Sequence, residues 1–117
     1  MIKITLNDLP KVSLNQWYSG KHWTKRQSTK KHYILSVKSQ CKRVFPSDQQ
    51  YVVSYAFEFR SNALDASNTI AMVKMIEDIM FQDDKWNIID LGGITSRKSD
   101  KDRVTITVQI KKATNER

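Results

Sequence analysis

Apolar and polar positions alternate most cleanly in three stretches of the chain. Ile2, Ile4 and Leu6 alternate with polar neighbours and predict a strand over 2–7. Over 50–60, Tyr51, Val53, Tyr55, Phe57 and Phe59 fall on one face, with Val52, Ser54, Ala56, Glu58 and Arg60 on the other. Ser61 and Asn62 break that strand. Val104, Ile106, Val108 and Ile110 alternate with Thr105, Thr107 and Gln109, which predicts the last strand. Trp86, Ile88, Ile89 and Leu91 predict one more, before flexible or turning backbone at Gly92-Gly93 and over 99–102.

Two stretches follow a helical period instead. Tyr33, Ile34, Val37, Cys41 and Val44 recur at three- and four-residue spacing, so a helix is expected over about 25–44. Thr24 or Ser28 can cap it, and it stops near Pro46. A second helix is expected from about Ser67 to Phe81. Ile70, Val73, Ile76 and Met80 form its stripe; Met72, Ile79 and Phe81 widen it enough to suggest burial on more than one side. Residues 8–23, with Pro10, Gly20 and two Asn near them, show no period and read as a long loop, often a functional feature. The order is β-α-β-α-β-β. The fold class is therefore α+β, one mixed sheet of about four strands with two main helices, and 1–117 forms a single domain. Residues 111–117 are polar and expected to fray.

Charge changes this picture. The chain has 117 residues, 20 Lys+Arg against 12 Asp+Glu, and a net charge of +8. Residues 1–45 hold ten basic residues and one acid, Asp8; the remainder holds ten and eleven. That asymmetry suggests a polyanion partner, although a solubilising surface would read the same way. Trp17, Tyr18, His22 and Trp23 lie among Lys21, Lys25, Arg26 and Lys30, and rings beside cations suit base stacking with phosphate contact. Trp17 and Trp23 could equally anchor an irregular loop to the core. A single cysteine, Cys41, excludes an internal disulfide and a zinc site built on cysteines. The longest apolar runs, such as Tyr51–Phe57, are far short of a membrane span, and the alternating N-terminus does not read as a signal peptide. A cytoplasmic location without membrane partners is expected.

Two acidic positions stand out. Asp65 precedes the second helix, where a cap or first-turn acid is ordinary. Asp83 and Asp84 follow it, at the negative end of the helix dipole, where adjacent acids are unfavourable unless a cation compensates. Mg²⁺ would do so, since it takes hard oxygen ligands. Acids beside a basic surface are the layout expected of a metal-dependent nuclease.

The ordered set Leu64-Asp65-Ala66-Ser67-Asn68, a helix containing Lys74-Met75-Ile76-Glu77-Asp78, Asp83-Asp84, and Asp102-Arg103-Val104 after a strand resembles the RusA family of Holliday-junction resolvases. Leu14-Asn15-Gln16-Trp17-Tyr18, followed by His22-Trp23 and Arg26, is similar to that family's front loop, so the resemblance covers nearly the whole chain. It implies a Mg²⁺-dependent endodeoxyribonuclease, with Mn²⁺ as a substitute, acting on four-way DNA junctions in recombination, repair or phage DNA processing. Asp65 and Asp84 match its metal-binding acids and Asp83 is the neighbour of the second, so these three are the candidate metal-binding and catalytic residues. Asn15, Trp17, Tyr18, His22, Trp23 and Arg26 match its front end, and together with Lys21, Lys25 and Lys30 they are the candidate DNA-binding residues. The family's further aspartate is Ala63 here and its lysine is Thr69; Lys74 is the candidate replacement for that lysine.

Helix length supplies an independent inference. Roughly 15 helical residues put Asp65 and Asp84 on the order of 20 Å apart, too far to share an ion whose ligands lie at about 2.1 Å. Two helices running antiparallel across a homodimer would bring Asp65 of one protomer near Asp83 and Asp84 of the other, with the wide apolar band as interface. The family resemblance implies the same dimer. The alternative is a non-catalytic DNA-binding protein on this scaffold.

Overall fold

Three alternating stretches form strands β1 (Ile2–Asn7), β2 (Tyr51–Phe59) and β4 (Arg103–Ile110). A fourth strand, β3, spans Ile89–Lys98. The helices are α1 (Leu14–Trp17), α2 (Trp23–Gln40) and α3 (Ile70–Met80), the last entered through a 3-10 turn at Ala66–Thr69. The computed structural model describes residues 1–17, 23–83 and 85–111, with backbone alone for 23–25.

One mixed sheet results, in the order β1-β4-β2-β3, which makes the fold α+β. β4 runs antiparallel to both β1 and β2, whereas β2 and β3 are parallel. Matching alternation sets the register: Leu6 and Phe57 both lie opposite Val104, and Ile4 and Tyr55 both lie opposite Ile106. These rows lie beneath the helices, buried except at Ile4 on the edge strand, which is half-buried. Parallel neighbours need a crossover, here the 3-10 turn and α3, so α3 runs antiparallel to the two strands it joins.

The wide band of α3 is buried within one chain. Ala71, Met72, Val73, Met75, Ile76 and Met80 all lie in the core, while Lys74 and Asp78 are exposed. The expectation that this band supplies a dimer interface therefore fails, because the chain's own core already covers it. α2 contributes Tyr33 and Val37 to the core. It ends at Gln40, whose amide clasps β1: Nε2 donates to Asn7 C=O at 2.9 Å and Oε1 accepts the Asn7 N–H at 2.6 Å. Val44 therefore lies outside the helix, 55% exposed. Phe45 then pairs with Phe81. α2 spans Trp23–Gln40, so Thr24 and Ser28 lie within it rather than before it.

Two further expectations are corrected. Residues 8–23 include α1, whose start is a reciprocal cap. The Gln16 N–H donates to Ser13 Oγ at 3.1 Å, and the Ser13 N–H reaches Gln16 Oε1 at 3.4 Å. The predicted strand at Trp86–Leu91 begins only at Ile89 and runs on through Gly92-Gly93 to Lys98. Its pairing with β2 shifts register at Val53/Ser54. A Cβ on Gly92 would stand 2.4 Å from Ser54 Oγ and 3.0 Å from Val52 Cγ1, so glycine is what lets the strands approach there.

Candidate functional site

Asp65 lies where the chain leaves β2 for α3. The preceding segment is held from two sides: Lys11 Nζ donates to Ser61 Oγ at 3.1 Å and to Asn62 C=O at 2.9 Å, and Ser96 Oγ of β3 donates to Leu64 C=O. Asp65 has extended backbone (φ −61°, ψ 149°), and its C=O accepts the Asn68 N–H at 2.8 Å. Its side chain occupies the cap position but makes no cap hydrogen bond, and the residue is exposed. The ordinary capping role is thus not what this carboxylate performs. Thr69 is fully buried, its hydroxyl donating to Ala66 C=O at 2.6 Å. It closes the turn from inside rather than presenting a group at the surface.

α1 packs against the 3-10 turn and the start of α3. This brings the front segment to the Asp65 end of the molecule. Asn15 is exposed, and Trp17 is half-buried against the core. The Arg26 guanidinium lies 5.2 Å from the Trp17 ring centroid and donates to the Trp17 C=O. Lys30 Nζ lies 5.9 Å from the same centroid. Trp17 is therefore an anchor dressed by two cations rather than a bare ring. Trp17, Arg26 and Lys30 thus come together, and Asn15 lies on the same short helix as Trp17. Trp23 and Lys25 share the first turn of α2 by backbone. Tyr18, Lys21 and His22 lie outside the described residues.

The opposite end of α3 is organised differently. Phe81 leaves the helix in extended conformation. Asp83 is half-buried; its Oδ1 accepts the Lys85 N–H at 3.0 Å, and its Oδ2 lies 3.8 Å from Lys85 Nζ. The compensating cation sought for this acid is therefore supplied in part by Lys85. Asp84 lies outside the described residues. Lys74 sits on the exposed face near the middle of α3, at neither acidic end.

Fifteen residues of 3-10 and α-helix separate Asp65 from Asp83, a rise of about 24 Å. Among the described residues no three His, Cys, Asp or Glu side chains form a group able to hold a metal ion. The described acids of a single chain do not fit one Mg²⁺.

Three features escaped sequence reasoning. The cap of α1 had a signal, Ser13-x-x-Gln16. Glu77 is buried in the middle of the α3 band, where its Oε2 accepts the Tyr55 hydroxyl at 3.0 Å; burial and this neighbour raise the Tyr55 pKa well above its ordinary value. Trp86 is 88% exposed on the turn before β3, although its neighbours placed it in a strand. Among the described residues no helix is long and apolar enough to cross a membrane. Comparisons with protein-family models, curated proteins and solved structures each returned no match.

Proposed function

We propose that this chain acts on branched DNA as a structure-selective endodeoxyribonuclease, dependent on Mg²⁺ and assembled from two protomers. One observation carries the reading: α1, whose Trp17 holds Arg26 and Lys30 of α2 against its ring, packs against the turn that displays Asp65 with its carboxylate unspent on capping. Basic groups for the phosphate backbone and an acid for the reacting centre thereby share one end of the molecule.

Two protomers are needed because one chain's described acids do not fit a shared ion. The sheet offers a way to pair them. β3 is an outer strand, joined on one side to β2, and α3 runs antiparallel to it. Antiparallel pairing of two β3 edges sets two α3 helices antiparallel, with Asp65 of one protomer toward Asp83 of the other. Asp90 and Arg97 support such a pairing. Both project from the face of β3 opposite the helices, in register with Val52 and Glu58. One is acidic near the strand's start and the other basic near its end, so two antiparallel copies place opposite charges together.

The test is cleavage of a four-way junction with and without Mg²⁺, beside a linear duplex of the same sequence. The reading expects paired cuts in the junction with Mg²⁺ and none from Asp65→Asn, which still binds. A second reading, non-catalytic junction binding, is favoured by Thr69, whose buried hydroxyl closes a turn where the resembling family carries lysine. Binding without cleavage in either Mg²⁺ or Mn²⁺ would select it.

A further inference from the structure

We propose that Trp86 is a stacking platform for an unpaired nucleobase, with Lys85 set to meet the adjoining phosphate. The inference rests on the DNA reading above and names the part of a branched substrate that this end of α3 receives: a base lifted from its stack where strands exchange.

Trp86 is 88% exposed, and Lys85 beside it shows 72% of its side chain to solvent. Tryptophan is normally among the more buried side chains, and leaving so large an apolar ring in water forgoes the stabilisation its burial would bring. The fold does not need the ring outside for packing, since Ile88 and Ile89 carry the contact with the core at this point.

The turn is fixed by its own hydrogen bonds: Asp83 Oδ1 accepts the Lys85 N–H, and Lys85 C=O accepts the Ile88 N–H at 2.9 Å and the Ile89 N–H at 3.1 Å. The Tyr51 N–H then donates to Ile88 C=O at 2.7 Å, tying the turn to the central sheet. With the backbone fixed this way, only the side-chain torsions of Trp86 remain to be ordered when a flat partner settles on its ring.

Aromatic faces bind every base, and a neighbouring cation suits the phosphate. The other tryptophan with a described side chain, Trp17, already has Arg26 and Lys30 against its ring, so Trp86 is the ring left open. In the antiparallel pair, the start of β3 lies beside the end of the partner's β3, so the platform falls next to the acid of the facing protomer.

The experiment uses the full chain in EDTA, so that binding is read without cleavage. Affinities are measured by fluorescence anisotropy for a four-way junction, a single strand and a linear duplex, for wild type, Trp86→Ala, Trp86→Phe and Lys85→Ala. Circular dichroism confirms the fold of each. Trp86→Ala should weaken junction and single-strand binding roughly five- to hundredfold and leave duplex binding unchanged. Trp86→Phe should recover most of that loss, and 2-aminopurine at the junction centre should be quenched by wild type but not by Trp86→Ala. The salt dependence of Trp86→Ala should match wild type, whereas Lys85→Ala should flatten the slope by about one phosphate contact. Wild-type affinities in Trp86→Ala overturn the platform while leaving the nuclease reading intact. So does a change confined to self-association, measured by sedimentation, which would assign the ring to a contact between protomers. A wild-type protein that binds none of the three DNAs overturns both readings.

Discussion

Glu58 and Arg103 face each other across β2 and β4, on the sheet face away from the helices. Arg103 Nε donates to Glu58 Oε2 at 2.6 Å and an NH2 group to Oε1 at 3.1 Å. The hydrogen bonds from Arg103 hold the Glu58 carboxyl below its ordinary value of 4.5. Because the folded value is the lower one, the pair's stabilisation is present above about pH 4.5 and is lost as pH falls through the folded value. Arg103→Met should therefore unfold at lower temperature than wild type at pH 7, and the gap should close on acidification below about pH 4.5. Thermal melts of both proteins between pH 3 and pH 7 measure it, and a gap that persists at pH 3 would assign the loss to packing instead. Asp65 makes the opposite case. Its side chain makes no cap bond, so the Asp65→Asn used against cleavage should change stability by no more than about 0.5 kcal/mol. A loss of activity can then be read as chemistry rather than unfolding.

At the scale of elements, β3 is the strand that alternation alone does not reveal. Its register slips at Gly92-Gly93, so Ile89 and Leu91 share a face with Ile94 only after an extra residue. A period of two is broken in the middle, and the polar end Ser96-Arg97-Lys98 adds no apolar signal. The two glycines should respond differently. Gly92→Ala brings its Cβ to 2.4 Å from Ser54 Oγ, whereas nothing lies within 4 Å of a Cβ on Gly93. Urea denaturation should show a loss of about 1–3 kcal/mol for Gly92→Ala and little for Gly93→Ala. Adding Ser54→Gly to Gly92→Ala should recover part of that loss. Equal effects at both glycines would mean that backbone freedom, not close approach, is what matters there.

At the scale of the whole molecule, the separation of Asp65 from Asp83 decides how a site could be assembled. Asp65→Asn protomers mixed with Asp84→Asn protomers test this directly. If each site spans two protomers, one site in every heterodimer keeps both acids, and single-strand nicking of a junction returns from two inactive parents. If each site lies within one protomer, both sites stay damaged. Mass spectrometry confirms exchange, and denaturing electrophoresis of the junction strands reads the nicks. Continued inactivity after confirmed exchange would remove the antiparallel pairing of β3 edges from the proposal.

What the sequence determined by itself is the local periodicity and its sign. Alternation over 2–7, 50–60 and 104–110 marked β1, β2 and β4 to within a residue or two, because the two faces of a strand set its apolar spacing before any partner is chosen. The same holds for α3, whose band is so wide that burial on several sides was readable from it. The gathering of Trp17, Arg26 and Lys30 was partly legible too, since they are close in sequence. Only the tertiary structure decided which copy of which surface covers the α3 band, that Thr69 is consumed inside a turn, and that Glu77 is buried against Tyr55. It also decided that Trp17 is dressed by cations while Trp86 is bare. These depend on contacts between residues far apart in the chain, and spacing along one segment carries no information about what the fold later lays against it.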